Sequence, residues 1–305
     1  MFSTTLNQLL LFSLRSRDTP DLLWHKVGGV WQKTSTREFL TRAAAVAWTL
    51  KEFGIQKGDR LAVFSENRPE WHIADLAILG LGAINVPVFQ GESIERLKFL
   101  LSDSESRICF LSGLDQFEKV QAVWQELPML EKVIPFTRLA GDDRVVPWEV
   151  VARTDIPEGL VTEFEVGARA VAPDDVASLI YTSGTTGTPK GVLLTQSNFA
   201  SNVTSCVARL GYRPADVALS MLPLCHIYER TNAYVYLAYG VSLAYAESFD
   251  TVAQNLLEVR PTVMATVPRF FEKLYVRLQD NLRSQPALRQ KIFNWAVAVG
   301  RETLP

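Results

Sequence analysis

The 305-residue sequence predicts an α/β fold with two mainly parallel sheets flanked by helices. Three observations lead there. Short apolar runs alternate with segments of helical periodicity from residue 35 to residue 111, the pattern of successive β-α-β units. A loop rich in glycine and hydroxyl side chains lies between two more apolar runs, residues 176–180 and 192–195. An apolar fraction of 48 % with 21 % mixed charge describes a globular chain, long enough for one large domain or two ordinary ones.

Taken in order, residues 1–12 read as a short amphipathic helix, because they lack the basic start and small-residue cleavage site of a signal peptide. Ser35-Thr36-Arg37-Glu38 is a capping box, and Phe39, Ala43, Val46, Leu50 and Phe53 then recur at helical spacing up to Gly54. Residues 61–64 read as a strand. Asn67 is placed to cap the next helix, which carries Pro69 in its first turn and runs to about residue 81. A strand at 85–89, a helix at 93–101 and a strand at 107–111 complete the alternation. Residues 142–175, with three prolines and no sustained period, are expected to form a surface excursion. Beyond the loop, a helix is expected at 198–210, ending at Gly211, with strands at 217–221, 241–245 and 261–267. A helix should occupy 250–259, and helical pattern fills the residues from 269 on. The first sheet subdomain is expected over approximately 61–195, and the second over approximately 1–60 plus 196–305.

Several function classes are excluded. A formal net charge of −2, without a long Lys/Arg run, gives no reason to expect nucleic acid. Cys109, Cys206 and Cys225 are odd in number and widely spaced, which argues against a disulfide framework and against a zinc site; no metal ligand is assigned. A reducing cytoplasm is the expected compartment. The longest apolar run, 76–89, is too short to span a bilayer and is interrupted by Gly80, Gly82, Asn85 and Pro87. Peripheral membrane contact stays open.

The chemistry begins at Tyr181-Thr182-Ser183-Gly184-Thr185-Thr186-Gly187-Thr188-Pro189-Lys190-Gly191. Its glycines allow close backbone approach, its hydroxyls donate hydrogen bonds, and Lys190 brings a mobile cation, a mixture suited to a polyphosphate. It is not a Walker A loop. Pro189 stands where that motif has its second glycine, Gly191 replaces its Ser/Thr, and a strand rather than a helix follows. A second informative stretch is Leu222-Pro223-Leu224-Cys225-His226-Ile227-Tyr228-Glu229-Arg230.

The first stretch resembles, residue for residue, the phosphate loop of the acyl-adenylate-forming (AMP-binding) superfamily. The second is similar to the motif that builds the acyl side of the site there, closest to long-chain fatty acid–CoA ligases. Ser65-Glu66-Asn67-Arg68-Pro69-Glu70-Trp71, Gly82-Ala83-Ile84-Asn85-Val86-Pro87-Val88 and the segment 260–269 agree at matching points. The resemblance covers essentially the whole chain and about the first half of a complete enzyme. It implies the large N-terminal domain of that fold, incomplete, with its two sheets interleaved in sequence. It implies activation of a long-chain fatty acid by ATP and Mg²⁺ through an acyl-adenylate, then transfer to coenzyme A. Thr182, Ser183, Gly184, Thr185, Thr186, Gly187 and Lys190 would hold the nucleotide. Lys190 and His226 would be catalytic, and His226, Tyr228 and Glu229 would contact the acyl substrate. The family's later motifs and its C-terminal lysine are missing, so the chain is expected to be inactive alone, with the other half supplied in cis or by a partner chain. Two alternatives stay open: a fatty acyl-AMP ligase donating to a carrier protein, and a non-catalytic nucleotide- or acyl-binding remnant or split subunit.

Overall fold

The computed structural model describes residues 4–182 and 189–303. Helix α1 (Leu6–Ser16) starts at Thr5, whose side chain accepts the Gln8 N–H. A hairpin, β1 (Leu23–Val27) and β2 (Val30–Thr34), follows, turning on Gly28 and Gly29 with φ of +58° and +82°. Two consecutive positive φ values suit a two-residue turn between twisted strands, and glycine adopts them without a Cβ clash. Helix α2 (Thr36–Glu52) is capped by Ser35 as its sequence predicts.

Then come β3 (Arg60–Phe64), α3 (Pro69–Gly80), β4 (Ile84–Val88), α4 (Ile94–Asp103), β5 (Ile108–Leu111), α5 (Leu114–Val123) and β6 (Lys132–Pro135). Two helices, α6 (Trp148–Val151) and α7 (Leu160–Ala170), precede β7 (Val176–Thr182) and β8 (Lys190–Thr195). Helix α8 (Gln196–Leu210) carries a full capping box from Thr195 and Asn198 and stops at left-handed Gly211. Strand β9 (Val217–Ser220), α9 (Ile227–Tyr239), β10 (Ser242–Tyr245) and α10 (Val252–Val259) follow. Residues 265–303 form a separate compact unit holding α11 (Pro268–Arg283) and α12 (Ala287–Thr303).

The six-stranded sheet runs β6-β5-β3-β4-β7-β8, parallel except for β8, which closes a hairpin with β7. A four-stranded sheet runs β2-β1-β10-β9, with only the β1–β2 pair antiparallel. The fold is thus mixed α/β with two parallel-rich, sequence-interleaved sheets. Alternate residues of the large sheet serve two cores, as the two-residue period of a strand requires. Leu61, Val63, Ile108 and Phe110 face a core shared with the four-stranded sheet; Ala62, Phe64, Cys109 and Leu111 face a second one closed by α4 and α5. Helix α3 lies in the shared core and is buried on nearly every side, which its almost unbroken apolar sequence permits.

Three expectations need correcting. Residues 142–175 are not a plain surface excursion: α6 and α7 form there and bury Trp148, Val151, Phe164 and Ala168 in the shared core. The strand at 261–267 reduces to one bridge between Val263 and Ala218: Pro261 has no N–H to donate, and Pro268 opens α11. Asn67 does not cap α3. Arg68 is the N-cap residue in extended backbone, and it makes no side-chain cap bond. A pre-proline residue is pushed out of the helical region, so the helix starts at Pro69 and Asn67 falls one place outside it.

Candidate active site

The carboxyl ends of parallel strands form the usual crevice of an open α/β sheet. Here β3 ends at Phe64, β4 at Val88, β7 at Thr182 and β9 at Ser220, and the segments leaving them carry the predicted residues. Thr182 and Lys190 pair across the β7–β8 hairpin, and the Thr182 hydroxyl lies 3.4 Å from the Lys190 carbonyl oxygen. Both side chains are exposed. Ser183, Gly184, Thr185, Thr186 and Gly187 lie outside the described residues.

The segment after β9 folds into a turn in which His226 N–H donates to the Pro223 carbonyl, 3.0 Å. His226 is the N-cap residue of α9, in extended backbone, with an exposed side chain. Its ring stacks on Phe89, one residue past β4, with centroids 6.3 Å apart and planes 23° from parallel. Strand β4 is bonded to β7, so His226 sits beside the strand next to the one that runs into residues 183–188. Gly91 makes room for the Phe89 ring: a Cβ there would come within 2.8 Å of it. Tyr228 is 51 % exposed on the first turn of α9.

Glu229 faces inward. It is 1 % exposed, and the Ser220 hydroxyl donates to its Oε1 at 2.5 Å, while Oε2 has no hydrogen-bond partner among the described residues. Burial pushes its carboxyl up to about 8, against the weaker opposing pull of the Ser220 bond. A neutral Glu229 does not cancel the positive end of the α9 dipole, so that helix terminus keeps its attraction for anions.

The following residue anchors the helix. Arg230 is fully enclosed, and its Nη2 donates to Asp75 Oδ1 of α3 at 2.5 Å. Its Nη1 donates to Ser178 of β7 at 2.7 Å and its Nε to the Tyr234 hydroxyl at 2.6 Å. The Tyr234 O–H donates to Asp75 Oδ2 and Asn85 Nδ2 to Asp75 Oδ1, both at 2.6 Å. Every charged atom has partners, which is what makes a buried ion pair tolerable. The sequence gives no sign of this pairing, since Asp75 and Arg230 meet only through the tertiary fold. Phe89 was equally hidden; the small Gly91 beside it is the one available hint.

Asn67 lines a cavity of about 370 Å³ at the ends of β1, β3 and β10, together with His25, Lys26, Arg68, Tyr245 and Glu247. Among the described residues no group of three or more His, Cys, Asp or Glu side chains is placed to hold a metal ion. No described helix is long and apolar enough to cross a membrane.

Comparison with known proteins gives a match to the AMP-binding enzyme family model over residues 14–303. The chain belongs to the AMP-binding enzyme family. It is 33 % identical over 274 residues to the long-chain-fatty-acid–CoA ligase FadD15 of Mycobacterium tuberculosis, covering 87 % of this chain and 44 % of that protein. Against the long-chain-fatty-acid–CoA ligase ACSBG2 of Xenopus laevis it is 26 % identical over 311 residues, covering 98 % and 42 %. This family member therefore spans less than half the length of these relatives. Its fold matches the long-chain-fatty-acid-CoA ligase FadD1 of Archaeoglobus fulgidus with a TM-score of 0.71 at 18 % identity, over 93 % of this chain and 54 % of that one. The acetoacetyl-CoA synthetase of Streptomyces lividans matches with a TM-score of 0.78 at 17 % identity, over 90 % and 44 %.

Proposed function

We propose that this chain carries the phosphate grip and part of the acyl pocket of an AMP-forming long-chain fatty acid–CoA ligase. The observation that carries the reading is the His226–Phe89 stack, which sets an imidazole at a helix N-terminus beside the end of β4, next to the strand leading into the glycine-and-hydroxyl loop. Family membership and the ligases among its relatives support the reaction class.

MgATP and a fatty carboxylate are the first substrates. A carboxylate oxygen bonds to the α-phosphorus as the bond to pyrophosphate breaks, and the acyl-adenylate keeps AMP as a leaving group. The thiol of coenzyme A then attacks the carbonyl, loses its proton and expels AMP. Negative charge grows on the departing pyrophosphate in the first step, and Lys190 with the hydroxyls of residues 182–186 is suited to stabilise it. The N-terminus of α9, with His226, is suited to the carboxylate end. Residues for the remaining steps come from further chain in cis or from a partner.

Purified alone with MgATP and palmitate, the chain should release no pyrophosphate above background. Detectable release would overturn the half-site reading. In a complete ligase carrying this sequence, Lys190→Ala should slow pyrophosphate release far more than it weakens fatty-acid binding. Equal loss of both would remove Lys190 from the phosphate role.

A further inference from the structure

Resting on that reading and deepening it, we propose that Asn67 is a positioning residue for the acyl site, its side-chain amide locking the turn that presents His226. Asn67 follows β3 of the six-stranded sheet, whereas the turn follows β9 of the four-stranded one. Its Nδ2 donates to the Ser220 hydroxyl at 2.9 Å and to the Leu222 carbonyl at 2.7 Å, and its Oδ1 accepts the Leu224 N–H at 2.9 Å. Both backbone groups flanking Pro223 are thereby fixed, and the Pro223 carbonyl in turn accepts the His226 N–H. One side chain spans the seam between the sheets and sets the backbone three residues before the imidazole.

The task calls for two N–H donors and one acceptor on a short stem, which asparagine supplies. An aspartate is isosteric but, when ionised, has no donor for Ser220 or Leu222 and would face the Leu222 carbonyl with a second lone pair. Ser220 is also the hydroxyl that donates to Glu229, so the clamp continues into the first turn of α9. On the far side of His226, Arg230 holds the same helix to Asp75. The imidazole is thus carried between two anchors that both reach the large sheet or its helices. Asn67 does not touch the reacting atoms; it acts through the 222–226 backbone.

The test is histidine-ring NMR on the full chain, which has only three histidines. His226 should show the ring-current shift of the Phe89 stack, and buried His72 serves as the internal reference. In Asn67→Asp and Asn67→Ala, the His226 signals are expected to move towards their values in an unstructured peptide while those of His72 stay in place. His226 signals unchanged in either folded variant would overturn the proposal. Should neither variant fold, the wild-type chain decides. Slow exchange of the Leu224 amide, with contacts from the Asn67 NH₂ to Ser220 and Leu222, supports the clamp, and fast exchange overturns it. Palmitate added to the wild-type chain probes the ligase reading separately. A silent His226 there would sink that reading while leaving the clamp measurement unaffected.

Discussion

Glu229 and His72 are both enclosed, and burial moves them in opposite directions because in each case it disfavours the charged form. His72, whose Nδ1 lies 2.7 Å from the Tyr245 hydroxyl, is pulled down to about 3 by burial and secondarily by Arg230. Between pH 3 and 6.5 the unfolded chain binds the proton that folded His72 refuses, so stability rises with pH there. Glu229 behaves inversely: between 4.5 and about 8 the folded state holds a proton that the unfolded state releases, and stability falls as pH rises. Together these two groups make the chain most stable between about pH 4.5 and 6.5, where their slopes oppose each other. Thermal melts across pH should show a decline from 6.5 to 8 that Glu229→Gln flattens. A Glu229→Gln profile identical to wild type would mean the carboxyl is ionised when folded.

At the scale of elements, α9 depends on its buried pair. Arg230→Met should cost about 3–5 kcal/mol in urea unfolding, since Asp75 would be left charged and without its counter-ion. Adding Asp75→Leu should recover part of that loss, a result that simple loss of packing would not give. In the β1–β2 hairpin, Gly29→Ala should cost about 1–2 kcal/mol, because a Cβ is unfavourable at φ +82° even where it meets no neighbour. The Gly28-Gly29 pair was a legible hairpin signal, yet its strands were not predicted, because β2 is mostly exposed and offers no apolar alternation. Helix α7 lay hidden in the proline-rich stretch after 142, where only local pattern was available. By contrast, the β-α-β run from β3 to β5 was readable because each strand is buried on both faces, α3 is apolar almost throughout and α4 has an apolar stripe. The site divides the same way. Its contiguous motifs were visible as chemistry, whereas, Tyr234 one turn from Arg230 apart, the side-chain partners of Asn67, Arg230 and His226 lie far off in sequence and emerge only from the fold.

Across the whole 4–264 unit, the shared core joins both sheets, with Leu61 and Val63 from one and Leu243 and Tyr245 from the other. Cooperative unfolding of the two should follow. Cys109 belongs to the large sheet and Cys225 to the turn after β9; both are buried, and burial pushes each thiol up to about 12. Thiol labelling in a urea series should therefore find them protected to the same midpoint, with the half-buried Cys206 reacting earlier. Separate midpoints for Cys109 and Cys225 would show the sheets coming apart independently.

The enclosure of Arg230 also limits how the acyl motif can be moved between proteins. Grafted into a foreign scaffold, residues 222–230 would bring a guanidinium whose counter-ion is on α3 and whose hydroxyl partners are on β7 and further along α9, not in the graft. Such a transplant would have to import Asp75, Asn85, Ser178 and Tyr234 as well, or its ninth residue would drag the helix towards water and carry the imidazole with it.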